Sequence, residues 1–143
     1  MPSSDSLLTK PVVPIAGPDD AEATYNALAA HTDPSACRPL VIHVVGDEGA
    51  AEKAADETQR GREALARFES LAGDDGMTVD TELCCGEPVA ETIIETAESA
   101  GASAIVFCSR GGSAWFDLLA GGVRTSLLAK SDTPVVMLPV EEA

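Results

Sequence analysis

The residues best suited to hold a small molecule lie between Ala102 and Val140. An apolar run, Ala104 to Cys108, ends in Ser109-Arg110-Gly111-Gly112, and a second glycine pair, Gly121-Gly122, follows. An amphipathic segment, Val123 to Lys130, and a last apolar run, Pro134 to Val140, complete the stretch. Strand, glycine-bearing loop, helix and strand is the grammar of a βαβ unit, and open parallel sheets gather their ligands at the carboxyl ends of strands. Catalytic chemistry finds less support. Spacing sets up no Ser-His-Asp or Cys-His pairing, and the chain has no complete G-x4-G-K-[ST] loop. No residue is assigned a catalytic role, although weak ATP turnover is left open.

Metal chemistry is equally poorly served. Cys37, Cys84, Cys85 and Cys108 form no CxxC, and only His31 and His43 could join them as ligands. Cys84 and Cys85 would point to opposite faces of a strand. The four read as reduced, mostly packed thiols of a cytoplasmic chain. For Cys108, at the mouth of the glycine loop, packing at a strand end is the favoured reading and a redox-sensitive thiol the alternative.

The elements that must position the loop fit one domain. A chain of 143 residues with 45% hydrophobic content can bury a proper core, and at 3% aromatics that core must be built from Ala, Val, Leu and Ile. A net charge of −15, from 24 acids against 9 bases, argues against nucleic acid or an anionic membrane as partner. Abundant acids with only Lys10, Lys53 and Lys130 as lysines point to a halophilic protein, screened by concentrated salt. An acidic cytosolic protein is the alternative. No span approaches the ~20 apolar residues of a membrane helix. Met1 to Lys10 lacks the basic start and apolar core of a signal peptide and is expected to be a flexible leader (1–10) before the domain (11–143).

In order along the chain, Pro11 to Ile15 reads as a short buried strand, and Ala21 to His31 as a helix capped by Asp19 or Asp20. Pro39 to Val45 reads as a second strand, in which His43 is expected to be a core histidine bonded to the backbone. A connector over 46–51 leads to a helix over 54–72 that turns Leu65, Phe68 and Leu71 inward. The alternation of Met77, Val79, Thr81 and Leu83 predicts a third strand over 77–83. Pro88 opens a helix with Val89, Ile93, Ala97 and Ala100 inside, and Gly101 ends it. Trp115-Phe116, between the glycine sites, would anchor a flap on the core or serve a dimer or partner contact. The sum is α/β: a single doubly wound, three-layer domain with a mainly parallel five-stranded sheet and helices on both faces.

Gly86-Glu87-Pro88 with Ile93, the run from Ala102 to Gly111, Gly121-Gly122 and Pro134 to Leu138 together resemble the universal stress protein family. Its members carry a G-x-P-x-x-x-x-I helix start, an A-D-x-I-V-x-G-S-R-G strand and loop, a second glycine site and a closing P-V-x-V-V strand. Val12 to Pro18 and Ile42 to Val45 fit its first two strands, whereas Ser103 stands where the family has aspartate. The resemblance spans about Pro11 to Val140. It implies the adenine nucleotide alpha hydrolase-like fold and roles in stress survival and regulation through binding rather than catalysis. It also implies a homodimer through the last strand, here Pro134 to Val140, and leaves room for a protein partner. One branch of the family binds ATP or AMP, and another lacks the phosphate motif.

The nucleotide-binding branch carries G-x2-G-x9-G-[ST] after the fourth strand, where bare backbone N–H groups approach phosphates. Here the register is Cys108, Gly111, Gly121 and Gly122. The first glycine is replaced by Cys108, whose side chain would crowd a ligand, and the final hydroxyl is lost at Gly122. On the first strand Ala16, next to Ile15, replaces the aspartate that contacts the nucleoside. Against these losses, Arg110 and Arg124 could meet phosphates, and the backbone donors of Gly121, Gly122 and Val123 survive. A salt bridge to a local acid is the alternative for Arg110. The resemblance thus implies no firm cofactor, with ATP or AMP as the candidates and Ile15, Ala16, Cys108, Arg110, Gly111, Gly121, Gly122 and Val123 as the site if binding is retained.

Overall fold

The computed structural model describes residues 6–15, 18–45, 51–85, 89–108 and 129–138. Its elements run β1 (Pro11–Pro14), α1 (Pro18–His31), β2 (Leu40–Val45), α2 (Ala51–Asp74), β3 (Asp80–Cys85), α3 (Val89–Ala100), β4 (Ala104–Cys108) and β5 (Val135–Leu138). The strands form one sheet in the order β3-β2-β1-β4-β5, and every pairing is parallel. The expected doubly wound α/β arrangement is therefore present. Alternation along the strands divides the core in two. Val13, Ile15, Val41 and Val106 pack under α1 and α2, while Val12, Ile42, Ile105 and Phe107 pack under α3. Tyr25 of α1 is set edge-on to Phe68 of α2, with centroids 5.4 Å apart. Full burial of a side chain such as Phe68 or Ile93 stabilises by roughly 1.5–3 kcal/mol.

Two helices end in the same way. Gly76 (φ 80°) follows α2, with Met77 N–H on Ala72 C=O at 2.9 Å and Gly76 N–H on Gly73 C=O at 3.2 Å. Gly101 (φ 65°) follows α3, with Ala102 N–H on Ala97 C=O at 2.9 Å and Gly101 N–H on Glu98 C=O at 3.2 Å. Both are Schellman ends, which need a residue free to adopt positive φ. This corrects the third strand. It runs Asp80–Cys85 rather than 77–83, because Met77 is buried as the apolar residue that closes α2 and is no part of an alternating strand. The first two helices also begin earlier than expected. Pro18 opens α1, a position where its missing N–H costs nothing, so Asp19 and Asp20 fall inside the first turn; α2 begins at Ala51.

β1 is the central strand and carries a proline at each end. Successive residues of a parallel strand address alternate neighbours. Ile15 N–H bonds Ile42 C=O of β2 at 2.9 Å, so the Pro14 position faces β4, and Pro14 has no N–H to give. The registered pairing of β1 with β4 accordingly ends at Val12↔Ile105, while that with β2 runs on through Pro14↔Ile42.

At the amino ends of β1 and β4 the segment before β1 is tied down. Ser6–Leu8 form a 3-10 turn. Ser103 Oγ accepts from Lys10 N–H at 3.0 Å and donates to Leu7 C=O at 2.8 Å, and Ser103 N–H donates to Lys10 C=O at 2.9 Å. Among the described residues no helix is long and apolar enough to cross a membrane.

Candidate functional site at the carboxyl ends of β1 and β4

From β1 the chain proceeds through β2 to β3 on one side of the sheet, whereas β4 and β5 lie on the other. The boundary between β1 and β4 is thus the topological switch point, the place where sheets of this kind bind ligands, outside the carboxyl ends of the strands. Of the residues expected to form a site, two are brought to this boundary. Ile15, buried beneath α1 and α2, follows the last residue of β1, and Cys108 is the last residue of β4. The register of Pro11 with Ala104 and Val12 with Ile105, carried along both strands, sets Ile15 level with Cys108. Pro14 withholds a rung from β4 just before this point, so the sequence itself ends the β1–β4 ladder short of the strand ends. Ala16, Arg110, Gly111, Gly121, Gly122 and Val123 lie outside the described residues, as do Trp115, Phe116 and Arg124.

Beside this boundary, β2 carries a buried histidine that faces α2. His43 is 5% exposed and its Nδ1 lies 2.9 Å from the Ile15 carbonyl oxygen. A carbonyl only accepts, so Nδ1 carries the proton. The expectation of a core histidine bonded to the backbone therefore holds. What the sequence left open was its partner, which is the main chain of a candidate site residue. His31, at the end of α1, is exposed and bonds Ala27 C=O through Nδ1 at 2.8 Å, one turn back on its own helix. The thiols behave as packed groups where they are described. Cys37 is buried, and burial pushes it up to about 11. Cys84 is buried with its Sγ 3.4 Å from Glu82 Oε2 and 3.8 Å from Thr96 Oγ1. Among the described residues no three His, Cys, Asp or Glu side chains are grouped to hold a metal ion.

The model of the universal stress protein family matches residues 9–139. The chain belongs to this family. Solved structures agree on the fold. A universal stress family protein from Burkholderia pseudomallei superposes with a TM-score of 0.74 at 22% identity, covering 97% of this chain and 100% of that one. A universal stress protein from Archaeoglobus fulgidus in complex with dAMP gives a TM-score of 0.66 at 20% identity, covering 92% and 98%. A universal stress protein in complex with cAMP gives 0.62 at 18% identity, covering 92% and 97%. No curated protein matches the chain. Two details that the sequence left open, that Pro14 ends the ladder to β4 and that His43 holds Ile15, both concern the end of β1. A proline and a histidine inside otherwise apolar strands were the available signals.

Proposed function

We propose that this chain is a cytoplasmic, non-enzymatic stress-response binding protein whose adenine-nucleotide site is degenerate. The observation that carries the reading is the place of Cys108. It ends β4, level with Ile15 at the switch point, where the nucleotide-binding branch has a glycine. A cysteine in place of that glycine adds bulk where the family's phosphate loop relies on bare backbone. Ala16 and Gly122 remove a carboxylate and a hydroxyl from the remaining set. A lost neutral hydrogen bond costs about 0.5–1.5 kcal/mol and a charged one about 1.5–3 kcal/mol, so two losses weaken binding by roughly tens-fold to thousands-fold. Genuine ATP or AMP binding is the second reading, favoured by the dAMP and cAMP complexes of proteins with this fold.

Calorimetric titration with ATP and AMP in molar salt separates the two. The degenerate site predicts no saturation at micromolar nucleotide, and micromolar affinity overturns it. Ala16→Asp combined with Cys108→Gly and Gly122→Ser should restore binding, and no gain would mean that other features close the site. The proposal includes a homodimer through Pro134 to Val140. In support, β5 is an edge strand whose Val135 and Val136 are half-buried and whose Met137 is 39% exposed, an apolar edge that a second copy would cover. Sedimentation equilibrium giving a monomer at micromolar protein would remove that part.

A further inference from the structure

The end of β1 is held by a side chain where a strand would use main chain. In a continued parallel ladder the Ile15 carbonyl would accept from the N–H of Val44, two residues beyond Ile42. Instead β1 makes its last main-chain bond to β2 through Ile15 N–H to Ile42 C=O, and the Ile15 carbonyl goes to His43 Nδ1 at 2.9 Å. That carbonyl belongs to the peptide plane through which the chain leaves β1, so the imidazole fixes the tilt of the plane. The ring can stand there because α2 offers no side chain opposite it. A β-carbon on Gly61 would lie 2.8 Å from His43 Cγ and 3.0 Å from Nε2, and closer still to Cδ2. Among the described residues Nε2 has no hydrogen-bond partner. A buried ring nitrogen left unpaired, and a glycine placed mid-helix, are two separate costs accepted at one point of contact. Both are explained if the Nδ1 bond to Ile15 is the feature being kept.

We infer that His43 is a positioning residue for the nucleotide site: seated on the bare backbone of Gly61, it sets the peptide plane of Ile15 at the boundary between β1 and β4. The inference rests on the reading of this switch point as the adenine-nucleotide site, and its first readout does not require nucleotide. Amide hydrogen exchange at Ile15 is compared with that at Ile105, whose N–H bonds Pro134 C=O across the sheet at 2.8 Å. His43→Phe keeps the ring and removes the donor. It should speed exchange at Ile15 at least tenfold and leave Ile105 within threefold, and His43→Asn, whose amide N–H falls near the Nδ1 position, should restore Ile15 to within threefold of the parent. A purely structural role predicts equal acceleration at both amides and no rescue. Equal acceleration, or an unchanged Ile15, overturns the inference. If His43→Phe does not fold, Gly61→Ala, which displaces the ring without removing its donor, is read by the same comparison. The second readout is AMP affinity in molar salt, measured on the Ala16→Asp, Cys108→Gly, Gly122→Ser background. There His43→Phe should weaken binding at least tenfold and His43→Asn less than threefold, and equal affinity in both overturns the inference. A background that binds no AMP counts against the nucleotide reading of the switch point alone, and the exchange comparison then decides the position of Ile15.

Discussion

Gly61 shows how a single missing methyl group can be worth more than helix propensity. In an exposed mid-helix position Gly→Ala gains up to about 1 kcal/mol. At Gly61 the new carbon would meet the His43 ring, and overpacking a filled core costs about 1–3 kcal/mol. Gly61→Ala should therefore destabilise, seen as a lower urea midpoint at unchanged slope. Combining it with His43→Ala should recover much of that loss, because residues in contact are not additive. A stabilised Gly61→Ala single variant would show that the ring has room to move. Cys37 gives a pH prediction. Burial raises its thiol from 9.0 to about 11, so the neutral form belongs to the folded state. Its contribution is complete below about pH 9 and is lost as pH climbs to about 11, where the unfolded chain releases the proton first. Cys37→Ala should flatten the alkaline decline of the urea midpoint. Part of the decline should remain, since burial and the Asp75 carboxylate raise the Tyr25 hydroxyl in the same sense.

At the scale of elements, Ser103 joins the 3-10 turn, the start of β1 and the start of β4 through three hydrogen bonds. Ser103→Ala removes the two made by the hydroxyl and should cost about 1 kcal/mol. It should also hasten proteolytic cutting near residues 6–10, whereas unchanged cutting would show that the turn is held by other contacts. The order of strands and helices was legible before any coordinates, because glycine and proline punctuate every apolar run and Gly101 stops α3 where a left-handed residue is required. The start of β3 was not. Met77 is apolar for the sake of a helix end, and periodicity alone cannot tell that from the first inward residue of a strand. Nor could the sequence say that His43 would meet Ile15, since that contact joins residues far apart in the chain. At the candidate site, the family's motifs named Ile15 and Cys108, but only the strand order, which no local signal carries, sets them level at adjacent strand ends.

For the whole molecule, charge is the governing quantity. A net charge of −15 spread over 143 residues repels itself in dilute buffer, and salt shortens the reach of that repulsion to about 3 Å at 1 M. Raising NaCl from dilute to molar should lift the thermal midpoint steadily, and a flat response would remove the case for a salt-adapted protein. Burial of apolar surface strengthens under salting-out conditions as well, so sodium sulfate should act more strongly than chloride at equal ionic strength.

The central place of β1 has a consequence for synthesis on the ribosome. The first strand to emerge can meet β2 almost at once, but its other flank must wait until Ala104 to Cys108 have been made. For that interval a nascent chain presents an open strand to every neighbour it meets, the situation in which stray pairing begins. Pro14, which has no N–H to give on that flank, shortens the ladder that any stray strand could build there, at the cost of one rung to β4 itself.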